Sequence, residues 1–421
     1  MKILLVNASD SKGGAAIVAR RLLHALNAQD GVQAKMLVAT KSTDDEDVIA
    51  LPKRWWLKKA LDRIVVWATN GFSKKSLWLT DGGFFGNDIT KRKEFQEADV
   101  IHLHWVNQGF LGTKDIEKVL RSGKKIVWTM HDMWVSTAIC HYAGDCEKFK
   151  TTGCAHCPQL LSPQKERLSE RTWQKKLAYY KDANLHLVPC STWMGDHAKR
   201  SLLTSHLPVT VIPNSFSPTP TNLIPLPTSP QGRRMSPQTP STLGAPLVGE
   251  LEGGKGLVCF SAARIDTEIK GFDDFLAALQ YLKHRKDIEI VLVGGINDES
   301  LFQQIPLPYR YLGYQKDMLS VYASVDCVVN CSRYETLPTT IVEAQAVGTT
   351  PVAYRQSGAT DLIVDGETGY FAEYRDAESL ARAMEKAIDA PINPEKLRQH
   401  VVDSYSADVI AKRHLKVYKS R

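Results

Sequence analysis

The stretch Ser332–Gly348, SRYETLPTTIVEAQAVG, decides the fold. It follows a β-branched run, Asp326–Cys331, that reads as a buried strand, and it opens a helix near Leu337 or Pro338. Proline is tolerated there because a helix's first N–H groups have no intrahelical partner. Glu335 sits in the loop before the helix, and Glu343, eight residues on, lies about two turns along. A helix start offers free backbone N–H groups and the positive end of a dipole, which suit a phosphate. Each carboxylate accepts several hydrogen bonds, so one could hold the hydroxyls of a sugar and the other those of a ribose. Read alone, the same two glutamates equally describe an amphipathic helix with solvated acids.

Working outward, the second half of the chain repeats the strand–turn–helix pattern. A strand at Leu257–Ala262 leads to Arg264 and, six residues on, to Lys270-Gly271. A guanidinium and a mobile ammonium at that spacing can neutralise two phosphates. A helix at Asp273–Lys283 and a strand at Ile288–Gly294 follow, and Gly294 and Gly295 permit close backbone approach. Strands at Tyr309–Gly313, Thr350–Ala353 and Gly369–Phe371 and a helix at Lys316–Ala323 continue the series.

The first half has the same rhythm. Strands are expected at Lys2–Asn7, Ala34–Ala39, Val100–His104, Ile126–Met130, His186–Cys190 and Val209–Ile212. Helices are expected at Ala15–Asn27, Thr113–Arg121, Thr172–Lys181 and Thr192–Arg200. Short apolar runs separated by helices imply a parallel α/β sheet. The turn Asn7–Ala16, NASDSKGGAA, lacks the G-x-G-x-x-G dinucleotide pattern, but Gly13 and Gly14 would let a ligand approach the backbone. In VIHLHWVNQG, His102 and His104 are read as alternating with the pleat, so that at most one faces a site, and His104 lies nearer the strand's C-terminal end. In VWTMHDMW, His131 follows the strand directly and could donate to a sugar hydroxyl. His104 and Asp132 are candidates to contact a ligand here, and His104 reads equally as a hydrogen-bonded structural histidine.

Taken together, these residues resemble a known family. The Glu-x7-Glu stretch with Ser332, Pro338 and Glu343-Ala344 resembles the signature of retaining glycosyltransferases of the GT-B fold, family 4. The resemblance spans nearly the whole chain and is strongest from Leu257 to Phe371; VIPN at Val211–Asn214 is similar to the end of the family's N-terminal domain, with Ser215 in place of its usual glycine. It implies an α/β chain of two Rossmann-like domains facing across a cleft: 1–214 for the acceptor and 257–404 for a nucleotide-sugar donor. Residues 215–256 would be a linker and 405–421 a helix returning to the first domain. Arg264, Lys270 and Gly294 would hold the donor diphosphate, with Gly13 and Gly14 facing it. Glu335, Thr336, Leu337 and Pro338 would hold the donor sugar and its phosphate, and Glu343 the ribose. His131, Glu335, Arg264 and Lys270 form the expected catalytic set. The implied reaction is retaining hexosyl transfer without a divalent metal or other catalytic cofactor. The donor would be a nucleotide sugar, UDP- in preference to GDP-linked, and the acceptor a glycan or lipid-linked glycan of cell-surface polysaccharide. A sugar-nucleotide epimerase or hydrolase of the same fold, or a non-catalytic assembly protein recruited to a membrane, are the alternatives.

Two segments stand outside that pattern. Lys53–Trp78 mixes bases with large aromatics, and on a helix Trp56, Ala60, Arg63 and Trp67 share a side. Such a segment can lie on an anionic membrane, or it can be a core-packed helix with a solvated basic face. Cys140, Cys146, Cys154 and Cys157 fall within 18 residues, CHYAGDCEKFKTTGCAHC, and four thiolates can close a structural zinc site. Eight cysteines in 421 residues, four of them clustered, argue against a disulfide framework. The net charge of +7 fits small anionic ligands or an anionic membrane better than nucleic acid. No apolar run reaches membrane-spanning length and the start is too quickly polar for a signal peptide, so the expected place is the cytoplasm or the cytoplasmic face of a membrane.

Overall fold

The computed structural model describes residues 1–52, 55–73, 77, 79–161, 165–216 and 256–420. The expected linker and the flanks of the Lys53–Trp78 segment lie largely outside the described residues. The chain divides into two units: Met1–Ser215 with Ala407–Arg421, and Phe216–Ser406.

The first unit holds six parallel strands: β1 (Lys2–Ser9), β2 (Gln33–Thr40), β3 (Val48–Ala50), β4 (Val100–Leu103), β5 (Lys125–Met130) and β6 (Leu185–Pro189). Their order is β3-β2-β1-β4-β5-β6. Among the described residues these strands are accompanied by α1 (Gly14–Asn27), α2 (Trp55–Thr69), α3 (Lys93–Glu97), α4 (Thr113–Leu120), α5 (Lys148–Thr151), α6 (Lys165–Tyr180) and α7 (Thr192–Arg200). Ile3–Val6 at the sheet's centre is fully buried, because helices cover both of its faces.

The second unit repeats the plan. Its strands are β7 (Gly256–Arg264), β8 (Ile288–Gly295), β9 (Tyr309–Tyr311), β10 (Cys327–Asn330), β11 (Thr350–Tyr354) and β12 (Tyr370–Ala372), in the order β12-β11-β10-β7-β8-β9. Its helices are α8 (Phe272–Tyr281), α9 (Met318–Ala323), α10 (Thr339–Val347), α11 (Ala377–Asp389) and α12 (Pro394–Tyr405). The terminal helix α13 (Ala407–Lys419) belongs to the first unit, where Ile410, Ala411, Val417 and Tyr418 bury against α1 and the sheet.

In such sheets ligands gather beyond the strands' carboxyl ends, where the strand order reverses. That place is β1/β4 in the first unit and β7/β10 in the second. Gly13 and Gly14, His104, Arg264 and Lys270, and Glu335 lie at or just beyond the ends of these four strands.

Several sequence expectations change. Val209–Ile212 runs beside β6, with Thr210 N–H donating to the Leu187 carbonyl and Ile212 N–H to the Pro189 carbonyl, both at 3.0 Å, but it pairs only as a bridge at Val209–Leu187 because Pro189 has no N–H to complete the next rung. β3 is three residues long, too short to carry a periodic signal. The helix after Glu335 starts at Thr339 with Pro338 as its N-cap, so Glu343 lies just over one turn into it. The face expected on α2 is also different: Arg63 is buried, while Trp56 and Trp67 are exposed.

Candidate functional site

In the second unit, tertiary packing joins residues that lie 65 apart in sequence: the Lys270 ammonium donates a short hydrogen bond to the Glu335 carboxylate. Lys270 ends a 3-10 turn after β7 and is followed by Gly271, at φ 71. A Cβ at Gly271 would fall 2.2 Å from the Cys331 carbonyl oxygen, so the two loops touch backbone to backbone. Arg333 N–H donates to the Ile269 carbonyl at 2.8 Å, and the Arg333 side chain, nearly buried, pairs with Glu268, Asp273 and Asp274. This ties the Lys270 turn to the Glu335 loop.

A second contact holds the loop from behind. Gly358 N–H donates to the Glu335 carbonyl at 3.0 Å, and Glu335 N–H to Ser357 Oγ at 3.3 Å. Ser357 itself has φ 50, a conformation few side chains adopt. Pro338 then caps α10, whose first N–H groups point toward the loop end where Thr336 and Leu337 lie. Arg264, at the end of β7, is half exposed beside Asp266 at 3.4 Å. Gly294, at φ 133, cannot be replaced: a Cβ there would lie 1.7 Å from the Ala262 carbonyl oxygen. Its close approach serves the β7–β8 packing. Glu343 is half buried on α10, near the Tyr322 phenol that bonds Ser261 Oγ at 2.7 Å. Arg264, Lys270, Glu335 and the α10 start therefore line the carboxyl ends of β7 and β10.

In the first unit the histidines form a connected set. His102 and His104 do not point apart: their rings stand 4.3 Å apart, because residues two apart on a strand share a face. His104 Nδ1 lies 3.0 Å from His131 Nε2, and one nitrogen donates to the other. His102 bonds Thr129 Oγ1 at 2.8 Å and the Tyr418 hydroxyl of α13 at 2.7 Å. Burial pushes His131 down to about 4 and His104 well below the usual histidine range, so both are neutral imidazoles near pH 7. His104 is buried and pairs with His131, which is partly exposed.

Asp132 lies inside the fold. Its oxygens accept from Trp134 N–H at 2.8 Å, from Trp105 Nε1 at 3.0 Å and from His141 Nδ1 at 2.7 Å. Burial would raise its pKa, but His141 and these donors outweigh it and hold the carboxyl below its ordinary value. Asp132 thus orients the loop that carries His131. Gly13 and Gly14 open α1, with no atom within 4 Å of where either Cβ would stand.

Sequence reading missed two supporting residues. Lys176 of α6 is fully buried; its ammonium lies over the Trp134 ring and donates to the carbonyls of Trp134 at 2.5 Å and Thr137 at 2.9 Å, and burial brings it to about 7. Gly358 backs the Glu335 loop. Neither has a local signal, since each acts on a segment distant in sequence.

The four cysteines gather in one core cluster, three of them buried and Cys146 partly so. Burial, with neighbouring thiols adding to it, pushes Cys154 up to about 11 and Cys140 higher still. Among the described residues, no three His, Cys, Asp or Glu side chains stand together at metal-ligand spacing. The donor set suits zinc in kind and number, but its sulfurs are not drawn together to coordination distance.

Comparison with known proteins follows the same division. Residues 255–390 match the family model described as Glycosyl transferases group 1. A lipopolysaccharide core biosynthesis glycosyltransferase, LpsE, of Rhizobium meliloti is 32% identical over 116 residues, 27% of this chain and 34% of that protein. An N,N'-diacetylbacillosaminyl-diphospho-undecaprenol alpha-1,3-N-acetylgalactosaminyltransferase of Campylobacter jejuni is 26% identical over 160 residues, 35% of this chain and 41% of that protein. The matched stretches thus span only about a third to two fifths of these relatives. Across the full length, the structure of a sucrose-phosphate synthase from Thermosynechococcus elongatus aligns with a TM-score of 0.61 at 19% identity, covering 99% of this chain and 98% of that one. The chain has the GT-B fold, and its residues 255–390 are similar to group 1 glycosyltransferases. In this GT-B chain the matched region, 255–390, contains Arg264, Lys270, Gly294, Glu335 and Glu343. The first unit, which carries the histidine set and the cysteines, lies outside it.

Proposed function

We propose that this protein transfers a hexosyl group from a nucleoside-diphosphate sugar, UDP- in preference to GDP-linked, to a hydroxyl of a glycan or lipid-linked glycan in cell-surface polysaccharide synthesis, with retained anomeric configuration. The observation that carries it is the Lys270–Glu335 pair beside the α10 N-terminus and Arg264, all in the matched region. In the reaction, the bond from the sugar's anomeric carbon to the diphosphate breaks and one to the acceptor oxygen forms on the same face. The acceptor's proton passes to the departing phosphate oxygen. Negative charge grows on the diphosphate, and Arg264, Lys270 and the α10 N–H groups stabilise it without a divalent ion. Glu335 positions Lys270 and takes sugar hydroxyls, and Glu343 binds the ribose. His131, neutral and held by His104, donates one hydrogen bond to a sugar or acceptor hydroxyl. We propose Cys140, Cys146, Cys154 and Cys157 as ligands of a structural zinc ion, whose binding would have to draw the four sulfurs together as thiolates and would staple the loop after Trp134.

The test is release of nucleoside diphosphate from a panel of UDP-, GDP- and ADP-sugars in the presence of EDTA, comparing wild type with Glu335→Gln. Release from one donor, lost in the variant, is expected. Nucleoside-diphosphate binding without turnover in the presence of any acceptor glycan, or release that EDTA abolishes, would overturn the reading.

A further inference from the structure

Helix α2 is built inside out. A surface helix ordinarily buries an apolar stripe and turns its charges to water. Here the inward side carries charge alongside the apolar Val66 and Trp55. Asp62 and Arg63 are buried and paired to each other at 2.5 Å, and Arg63 also meets Asp81 at 3.2 Å. Its other guanidinium nitrogen donates to the Leu77 and Thr80 carbonyls at 2.7 and 2.9 Å. The Asp62 carboxylate accepts from Phe84 N–H at 2.9 Å, and Lys58 is tied to the Gly86 carbonyl. The outward side is apolar: Trp56 is 58% exposed, Ile64 54% and Phe72, just past the helix end, 66%, with Leu57, Leu61 and Trp67 between them. Phe72 stands edge-on to Trp67 at 4.9 Å, which extends the patch beyond the last turn.

Burying the charges shows that this polarity is fixed by the fold. The Asp62–Arg63–Asp81 network holds the helix in one rotation, and turning it over would strand three buried charges. Contiguous exposed apolar area of this kind marks a surface that meets something other than water. The chemistry around it selects the partner. Residues 53–75 contain seven Lys or Arg and one Asp, and that Asp is the one neutralised inside the fold. In sequence the helix is bracketed by Lys53-Arg54 and Lys74-Lys75, whose placement lies outside the described residues. A tryptophan-bearing apolar face between basic flanks suits a lipid interface with anionic headgroups. A second copy of the same face would bring like charges together. No described helix is long and apolar enough to cross a membrane, and α2 would lie along one.

We infer that α2 docks the protein on an anionic lipid surface, with Trp56, Leu57, Leu61, Ile64, Trp67 and Phe72 entering the interface. The placement bears on access to the first unit's loops. A Cβ at Gly109 would lie 2.4 Å from the Lys59 nitrogen, so the helix start rests on the loop that follows β4 and His104. A docked protein would present that loop next to the headgroups. This inference does not depend on the transfer reaction.

The experiment is co-sedimentation of the full chain with vesicles of phosphatidylcholine alone and of phosphatidylcholine with phosphatidylglycerol. It compares wild type with Leu61→Ser/Ile64→Ser. Both side chains are exposed, so unchanged melting is expected of the variant. Wild type should bind the anionic vesicles, release at high salt, and show a blue shift of tryptophan emission on binding; the variant should lose about tenfold or more in partitioning. Equal binding by wild type and variant would overturn the inference, as would no binding at all. So would a patch that is buried in a dimer, seen as a wild-type dimer and a variant monomer by sedimentation equilibrium. Nucleotide-sugar turnover in solution should be the same in both proteins, so a failure of docking and a failure of the proposed reaction are read separately.

Discussion

Replacing Gly358 by alanine tests whether the Glu335 loop is held in place from behind. Gly358 has an ordinary φ, so alanine meets no backbone strain there, and the effect is steric alone. The new Cβ would stand 2.1 Å from the Thr336 carbonyl oxygen, 2.6 Å from its carbon and 3.0 Å from Leu337 Cα. All three are backbone atoms, which have no rotamer to escape into. Relief to an ordinary contact moves the loop by about 1 Å, since close-packed backbone does not compress. That motion carries Glu335 away from Lys270 and shifts the start of α10. Overpacking of this kind costs about 1–3 kcal/mol in stability, whereas misplacing a positioning group by about 1 Å costs on the order of 100-fold in turnover. The assay is nucleoside-diphosphate release from the donor found in the panel, with kcat and KM separated and melting recorded alongside. The expected result is a folded protein with a modestly lower Tm and a large fall in kcat/KM. A folded Gly358→Ala protein with wild-type kcat/KM would refute the reasoning, because the loop would then move without consequence.

Arg63→Ala should cost about 3–5 kcal/mol by urea denaturation, since it strands Asp62 and Asp81 without their cation. That loss should shrink at acid pH, because Asp62 is raised by burial, then by Asp81, to about 6 and takes a proton as the pH falls. The histidine set predicts a pH dependence of its own. Burial lowers His131 to about 4 and His414 to about 3, below the unfolded value, so the unfolded chain binds more protons and stability falls as pH drops below about 6.5. At pH 5 each of the two should cost about 2 kcal/mol relative to pH 7.5, and His414→Gln should flatten the profile by its share. Metal analysis of protein expressed with zinc should find one zinc ion per chain, lost with Cys154→Ser; a zinc-free wild type would remove the structural-zinc assignment.

Much of the architecture was legible because its causes are local. Short buried strands such as Ile3–Val6 and Ile288–Gly294 stand out as β-branched runs, and the helices between them impose parallel pairing. The pair Arg264 and Lys270, and the loop of Glu335 with Pro338 at the helix start, could be placed from spacing, because one strand and one turn position each. That Lys270 meets Glu335, and that Gly358 and Ser357 back the same loop, follows from three chain segments converging at the β7/β10 switch. No window of sequence contains that contact. His102 and His104 could have been placed on one face by the two-residue repeat of a strand, yet their link to His131 and Tyr418 needed β5 and α13 brought alongside.

The sequence by itself determined the alternation of strand and helix, the two-part plan and the loops that carry Arg264, Lys270 and Glu335. Hydrophobic period, glycine and proline placement and side-chain chemistry all act within a few residues. Only the tertiary structure decided which side of α2 faces water. On a helical wheel Arg63 falls on the same side as Trp56 and Trp67, and nothing local says whether that side packs inside or meets water. The buried Asp81, carried by a loop eighteen residues beyond Arg63, draws the guanidinium inward, and the rotation that satisfies that charge pair turns the tryptophans out. Turning the helix over would leave Asp62, Arg63 and Asp81 without their partners inside the fold, so the electrostatic partner sets the face and the hydrophobic pattern follows.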